Sequence, residues 1–193
     1  MSRCCFLTVL LSGAIGCGNN ASTPDDAVDA SILIDSPMSS PCWLDAHTPG
    51  GTVQLGTGTF QYTPMADHVA LEFGTQLGFD IPVHAEMTGL LPGNPKDTLD
   101  PSNPRTRFHG FFVDTGESIN PGRCGMRLAY VPAAGSAYDL LRGSAILFDV
   151  TLTEADLFGR EVRVVVEVID SNANYAMDEK IVICDPPPGW PMN

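Results

Sequence analysis

Short runs of alternating apolar and polar residues fill the chain between positions 51 and 185, and Gly, Pro, Asn and Asp separate them. Within each run every second residue is apolar, which is the spacing of a strand with one buried face. The only helical signal among them is Thr153–Asp156, enough for a single capped turn. The pattern therefore predicts an all-β domain, a sandwich of short strands. The clearest runs are Val69–Phe73, Phe79–Met87, Met126–Tyr130, Ile146–Leu152 and Val162–Ile169.

The polar face of the run Phe79–Met87 carries the first candidate chemistry. His84 and Glu86 lie two positions apart, so a strand places them side by side. They supply half of a metal or general-base site, but the sequence shows no third ligand, and a solvated strand face is the alternative. Pro82 cannot donate a ladder hydrogen bond, so we expect this strand at a sheet edge or with a bulge at that residue.

The last two strands carry a resemblance to a known family. Glu161–Asp170, the loop Ser171–Asn174 and Tyr175–Cys184 together resemble the closing F–G hairpin of immunoglobulin-like domains in bacterial surface proteins. The resemblance implies an immunoglobulin-like β-sandwich of about seven to nine strands over residues 51–185. A jelly roll or another sandwich is the alternative. The implied strands are B near 79–90, C near 106–114, C′ near 124–131, E near 145–152, F near 161–170 and G near 175–184.

The start of the chain has the layout of a secretory signal. Arg3 precedes the apolar stretch Cys4–Leu11, and small residues follow up to Gly16. This segment, residues 1–16, is shorter than the roughly 20 residues that span a bilayer. The residues Ala14, Ile15, Gly16 and Cys17 resemble the lipobox of bacterial lipoproteins, which implies cleavage before Cys17 and acylation of its thiol. A plain secretory signal, with Cys17 an ordinary thiol, is the alternative.

Residues 17–50 are predicted to be a flexible acidic and polar tether. Ile32–Ile34 form a brief apolar island that either docks on the domain or lies in the linker. The composition of the tether resembles that of myxobacterial lipoproteins, which implies a place in the bacterial cell envelope, at the periplasmic face or the cell surface. Residues 186–193 form a Pro-rich tail, in which Trp190 is either loose or docked on the sandwich.

The formal net charge of −13 narrows the range of partners. A strongly acidic chain repels nucleic acid and anionic lipid headgroups, so we expect no nucleic-acid partner. Basic partners or divalent cations are compatible with this charge, and so is a merely solvated acidic surface. The expected membrane contact is the lipid anchor alone.

Three cysteines remain if Cys17 is acylated, namely Cys42, Cys124 and Cys184. Exported proteins keep disulfides, and three thiols allow one intramolecular bridge. A bridge between Cys42 and Cys184 is preferred, because it staples the two ends of the domain, and Cys124 then remains as a buried free thiol. The other two pairings remain open. Zinc is disfavoured, since the spacings do not match those of a zinc site.

The loops at one end of the expected sandwich are candidate binding elements. The B–C loop, Leu91–Arg105, is long and stiffened by four prolines. The F–G loop places the oxygen side chains of Asp170, Asn172 and Asn174 at alternate positions, as at the start of a calcium loop. Asp97 or Asp100 would complete such a shell. An ordinary hairpin turn is the alternative, because Asp and Asn also form turns.

The sequence contains no nucleophile elbow, zinc-protease helix, phosphate loop or dinucleotide fingerprint. We therefore expect a non-catalytic binding, adhesion or structural module of the envelope, with an unidentified envelope protein or surface ligand as partner; this rests partly on fold analogy. The first alternative is an accessory carbohydrate- or substrate-binding domain, although Trp43 and Trp190 lie outside the strands and form no evident aromatic row. The second is a hydrolytic enzyme that depends on His84.

Overall fold

The computed structural model describes residues 46–74, 77–120 and 124–191. Regular structure in these ranges is almost entirely β, with one short helix, α1 at Glu154–Leu157. The strands are β1 Thr48–Pro49, β2 Thr52–Thr57, β3 Thr63–Pro64, β4 His68–Ala70, β5 Glu72–Phe73, β6 Phe79–Thr88, β7 Arg105–Phe112, β8 Met126–Arg127, β9 Tyr130–Pro132, β10 Ala137–Leu140, β11 Ser144–Leu147, β12 Glu161–Ile169 and β13 Asn174–Asp185.

These strands form two sheets, which confirms the predicted all-β sandwich. The first sheet has the order β1-β13-β12-β7-β8, and β4 also pairs with β13. The second has the order β3-β2-β6-β10-β9, and β5 and β11 also pair with β6. In the first sheet, β13, β12 and β7 follow the G–F–C order of an immunoglobulin-type sandwich, and β6 pairs with β11 as B pairs with E.

The predicted F–G hairpin is confirmed as β12 and β13, which pair antiparallel from Glu161 opposite Ile183 to Ile169 opposite Tyr175. Alternation explains the core between the sheets, because the apolar stripe of β12 faces that of β6. Val164 and Val166 of β12 are fully buried, as are Ile81 and Val83 of β6.

The described residues contain more strands than the expected seven to nine, because several predicted strands change sheets partway. The run 69–73 is one example: β4 pairs with β13 in the first sheet, and β5 pairs with β6 in the second. The predicted C′ strand divides in the same way into β8, which pairs with β7, and β9, which pairs with β10. The predicted E strand is shorter than expected, because β11 ends at Leu147.

Pro82 pairs with Ala145 of β11 on one side and has no described strand partner on the other, so the expected edge is wrong for strand β6 as a whole but holds locally at this residue. Strand β6 is interior and has neighbours on both sides. Phe148 N–H donates to Phe79 O at 3.0 Å, so the backbone N–H and C=O groups of the odd-numbered residues of β6 point toward β11. The backbone of Pro82 therefore points to the opposite side. On that side β2 pairs as far as His84 and β5 begins at Asp80, so the missing N–H of Pro82 costs no ladder bond.

The C-terminal tail packs against the sandwich through Trp190, which contacts the core cluster. Of the two expectations for this residue, docking is confirmed. Among the described residues there is no helix with the length and apolar character needed to cross a membrane.

Candidate functional site

An aromatic groove of about 440 Å³ lies at one end of the sandwich. The rings of Phe73 and Phe79 lie 5.1 Å apart between centroids, and each lies 5.3 Å from Trp190. A pocket lined by aromatic rings with a few polar groups is a typical ligand site. The lining residues are Phe73, Phe79, Thr153, Glu154, Ala155 and Trp190.

Separate segments of the chain bring these rings together. Phe73 lies directly opposite Phe79 in the pairing of β5 with β6, so both side chains project from the same face. Phe158, which follows α1, contacts Phe79 with centroids 5.4 Å apart. Helix α1 is fixed at its start by a capping box, in which Thr153 and Asp156 bond reciprocally. The groove is therefore built on regular elements.

Exposed apolar side chains continue the groove outward. Phe73 is 45% exposed, Leu77 75% and Val150 64%. Leu77 lies in the turn between β5 and β6, and a Cβ placed on the adjacent Gly78 would lie 3.5 Å from Val150. We call Phe73, Leu77, Val150 and Trp190 the apolar end. Exposed apolar residues grouped in this way commonly mark an interaction site.

Carboxylates flank the apolar end. Glu154 lines the groove, and Asp149 directly precedes the exposed Val150. Hydrogen bonds from the backbone and hydroxyl of Thr151 hold the pKa of Asp149 below its usual range, so this carboxylate is ionised at neutral pH. The flank is therefore negatively charged.

The F–G loop is organised as a hydrogen-bonded turn around Asp170. One carboxylate oxygen accepts the N–H groups of Asn172 (2.8 Å) and Asn174 (2.9 Å). The other accepts Leu91 N–H and the Asn174 side-chain amide, both at 3.0 Å. Burial acts to raise the pKa of Asp170, but these hydrogen bonds outweigh it and lower the pKa. Four N–H donors occupy the oxygens that a cation would need, so the turn interpretation describes this loop.

The B–C loop carries the proposed additional calcium ligands, and it is also internally bonded. Asp100 accepts the Ser102 N–H (2.8 Å), the Ser102 hydroxyl (2.7 Å) and the Asn94 side-chain amide (2.9 Å). Asp97 accepts Leu99 N–H at 3.0 Å. Within the described ranges no group of three or more His, Cys, Asp or Glu residues is arranged to hold a metal ion. The calcium interpretation gains no support from these contacts.

The cysteines differ from the expectation. Cys184 is a free, buried thiol in the core, so the predicted Cys42–Cys184 bridge is wrong. Burial raises the pKa of Cys184 to about 12, and the thiol is therefore protonated and unreactive. Cys124 is disulfide-bonded, so its predicted role as a free thiol is also wrong. Cys124 lies on an exposed loop, where a second chain segment can reach it. Cys17 and Cys42 lie outside the described residues.

His84 lies inside the protein rather than on a solvated face. The segment from Gly58 to Tyr62 crosses the outside of β6 and covers it, and we call this segment the strap. Thr59 O accepts Gly143 N–H at 2.9 Å, and the Tyr62 ring meets the His84 imidazole edge-on at 6.2 Å. The solvated-face alternative is therefore wrong for His84.

Beneath the strap, His84 lies near two carboxylates. Neither ring nitrogen makes a hydrogen bond of normal geometry to a described residue. Burial lowers the pKa of His84, and the neighbouring Asp139 offsets part of this effect. Burial raises the pKa of Glu86, and the adjacent Asp139 raises it further. Asp139, contributed by β10 directly opposite Glu86, is the third acidic or basic group that the sequence did not reveal.

A second groove, of about 680 Å³, opens beside Pro82 where the pairing of β6 is interrupted. His68 lies on its wall, and its Nδ1 is 3.1 Å from the Asp185 carboxylate. Thr57, Thr63 and Ser144 add hydroxyls to the lining. No described hydroxyl is hydrogen-bonded to His68, so these residues do not form a nucleophile–base pair.

Sequence reasoning missed both grooves, because their residues come from segments far apart in the chain. The one available signal was Trp190, an aromatic residue in an otherwise polar and Pro-rich tail. No protein-family model matches this chain, and a search of curated proteins finds no significant match to it.

Proposed function

We propose that this chain is a lipid-anchored protein of the bacterial cell envelope whose β-sandwich is a non-catalytic binding module. The apolar end carries the proposal. Phe73 lines the aromatic groove, and Leu77 and Val150 expose apolar surface next to Gly78, which precedes the lining residue Phe79. Hydrophobic burial against a partner is the main source of affinity for such a surface. The anchor rests on the lipobox-like residues that end at Cys17.

The cysteine chemistry is compatible with export. Disulfides persist in oxidising compartments, and Cys124 is disulfide-bonded while Cys184 is free. If cleavage precedes Cys17 and its thiol is acylated, Cys42 is the cysteine left to pair with Cys124. The mature protein would then hold one disulfide and one buried thiol.

The anchor is tested by the intact mass of the native protein, extracted with detergent from its own membranes. We expect a chain that begins at Cys17 and carries acyl chains, with one thiol alkylated only after denaturation. The variant Cys17→Ser should appear in the soluble fraction. An unacylated protein cut at another residue contradicts the anchor and favours a freely secreted factor.

The binding role is tested in native membranes with a photoreactive residue in place of Ala155, which lines the aromatic groove. We expect one discrete crosslinked species that is lost in Leu77→Asn and retained in Leu99→Asn. Leu99 is the matched control, because it is 85% exposed and lies in the B–C loop rather than in the turn between Phe73 and Phe79 that carries Leu77. A crosslink that is indifferent to Leu77 argues against the apolar end as the binding surface.

A carbohydrate ligand is the second candidate, and the aromatic groove favours it. The rings of Phe73 and Trp190 offer apolar faces, and Thr153 and Glu154 offer oxygen atoms beside them. Retention on immobilised glycans, with Phe73→Ala as the test variant, separates this candidate from a protein partner.

A further inference from the structure

We propose that the apolar end docks a basic amphipathic protein segment, in which apolar side chains are flanked by Lys or Arg. This inference rests on the proposed binding function and specifies the chemistry of its partner. The argument uses the distribution of apolar surface, the charge around it and the backbone conformation of one turn.

The exposed apolar residues here lie on neighbouring turns. Leu77 lies between Phe73 and Phe79 in a turn where Gly74 N–H donates to Gly78 O at 2.9 Å, and a Cβ on Gly78 would lie 3.5 Å from Val150 Cγ1. Phe73 is in ring contact with Trp190 at 5.3 Å. Leu99 is more exposed than any of them, but it lies within the hydrogen-bonded B–C loop, where isolated exposure needs no explanation. The grouping of exposed apolar residues on neighbouring turns therefore distinguishes the apolar end from a typical surface leucine.

The charge around this surface has one sign. Glu154 lines the aromatic groove, Asp149 directly precedes the exposed Val150, and among the described residues no Lys or Arg lines this groove. Arg160, which follows α1, is engaged elsewhere, because its guanidinium contacts Asp114 at 2.9 Å and lies over the Phe112 ring. A cationic partner is attracted to such a rim and steered toward it.

The same charges disfavour other occupants. A second copy of this chain would bring its own acidic rim against the first, and like charges facing each other in an interface oppose association. An anionic lipid surface is repelled for the same reason, and the formal charge of −13 on the whole chain adds to the repulsion.

The turn that presents Leu77 is held in an unfavourable conformation. Its φ angle of 63° lies in the left-handed region, where Gly and Asn are tolerated and a branched side chain such as Leu is strained. Leu77 N–H bonds to Gly74 O at 3.1 Å, which fixes this conformation. Asn at this position relieves the strain and removes the apolar side chain, so Leu77→Asn separates binding from folding.

The test is a fluorescence titration of the mature full-length protein in detergent with a synthetic helical peptide. The peptide has about 18 residues, with Leu on one face and Lys on the other. We expect it to bind at least about tenfold more tightly than a matched Leu and Glu peptide. Raising the salt from about 0.05 M to about 0.5 M should weaken binding, because the Debye length shortens.

Variants then locate the contact. We expect Leu77→Asn to weaken binding of the Lys peptide by at least about fivefold while raising the thermal midpoint of unfolding. The control Leu99→Asn should leave the affinity unchanged. Equal affinity of Leu77→Asn and the parent protein overturns the proposal, as does equal binding of the Lys and Glu peptides.

The remaining outcomes identify other occupants. Cellohexaose is titrated in parallel, and zwitterionic phosphatidylcholine vesicles are mixed with the Cys17→Ser protein without detergent. Binding of either that depends on Leu77, without peptide binding, overturns the basic segment in favour of that ligand. A Leu77-dependent crosslink in native membranes without binding of the Lys peptide refutes the partner chemistry and leaves the binding module standing. If neither the Leu77-dependent crosslink nor binding of the Lys peptide is observed, the binding module is refuted as well.

Discussion

The outer faces of the two sheets differ in whether their buried charged and polar groups have partners. On the first sheet, Arg107 and Glu167 are nearly buried and paired, with the guanidinium Nε donating to the carboxylate at 2.7 Å. The Tyr175 hydroxyl donates to the other carboxylate oxygen at 3.0 Å. Every charged group in this set therefore has a partner of opposite charge or a hydrogen-bond donor.

On the second sheet, the buried polar groups lack such partners. Asp80 is 6% exposed, and the carboxylate of Glu72 lies opposite it rather than a cation. Burial, together with a smaller contribution from the Glu72 carboxylate, raises the pKa of Asp80 to about 6. His84 lies beneath the strap without a well-formed hydrogen bond to any described residue, and one oxygen of Asp139 is similarly unpartnered.

The comparison teaches that alternation predicts the faces of a strand and not what covers them. Both outer faces show the same period of two in sequence. Burying a charged or polar side chain there costs less free energy where it has a partner than where it has none. The first face holds the Arg107–Glu167 pair, and among its described groups only one ring nitrogen of His109 lacks a hydrogen-bond partner. The second face has more unpartnered groups, and burial shifts the pKa of Asp80 and of His84, so its contribution to stability depends on pH.

Removing one member of the Arg107–Glu167 pair should change the free energy of unfolding the most. Glu167→Ala leaves Arg107 buried with its main counter-charge removed, and we expect the free energy of unfolding to fall by about 3 kcal/mol. Chemical denaturation at neutral pH measures this change. The control is Glu179→Ala, which removes an exposed pair with Arg163 and should cost less than about 0.5 kcal/mol. Equal losses in the two variants would contradict the distinction between the faces.

Removing the unpaired charge of Asp80 should instead raise the free energy of unfolding. Asp80 has a folded pKa of about 6, above its usual 3.8, so its favourable contribution is complete below pH 3.8 and is lost as the pH rises through 6. We expect Asp80→Asn to raise the free energy of unfolding by about 1 to 2 kcal/mol at pH 8. The gain should disappear near pH 4, as measured by denaturation across this range. A gain that is independent of pH would point to packing instead.

Much of the fold could be predicted from the sequence, because period-two alternation is a local signal. The stripe of β12 and the β12–β13 hairpin follow directly from it. The crossing from β4 to β5 could not be predicted, since both strands lie in one continuous apolar run. Leu71, buried between them, fits either sheet equally well in sequence.

The candidate site could be predicted less well, because it depends on contacts between distant segments. Trp190 and Phe73 are far apart in the chain and meet at 5.3 Å. The His84 environment depends on the strap, which the sequence presents as an ordinary Gly- and Thr-containing loop. The disulfide at Cys124 could not be predicted either. Cys124 shares its alternation face with Met126, which favoured burial of both residues, but Met126 is exposed and Cys124 is disulfide-bonded.

The smallest predicted effect concerns the strap. Burial lowers the pKa of His84, so the unfolded chain binds the proton more readily and the native state loses stability as the pH falls below 6.5. Between pH 7.5 and pH 5.5 we expect the free energy of unfolding to fall by about 1 kcal/mol less in His84→Leu than in the parent protein. Denaturant unfolding monitored by Trp190 fluorescence measures this difference.

Burial lowers the pKa of His109 to about 4, so His109 destabilises the protein at acidic pH in the same direction as His84. The dependence of the free energy of unfolding on pH should therefore be weaker still in the double variant His84→Leu/His109→Leu. An unchanged slope in His84→Leu would mean that the strap opens readily enough to hydrate the imidazole, and the second face would then differ from the first in pairing but not in access to water.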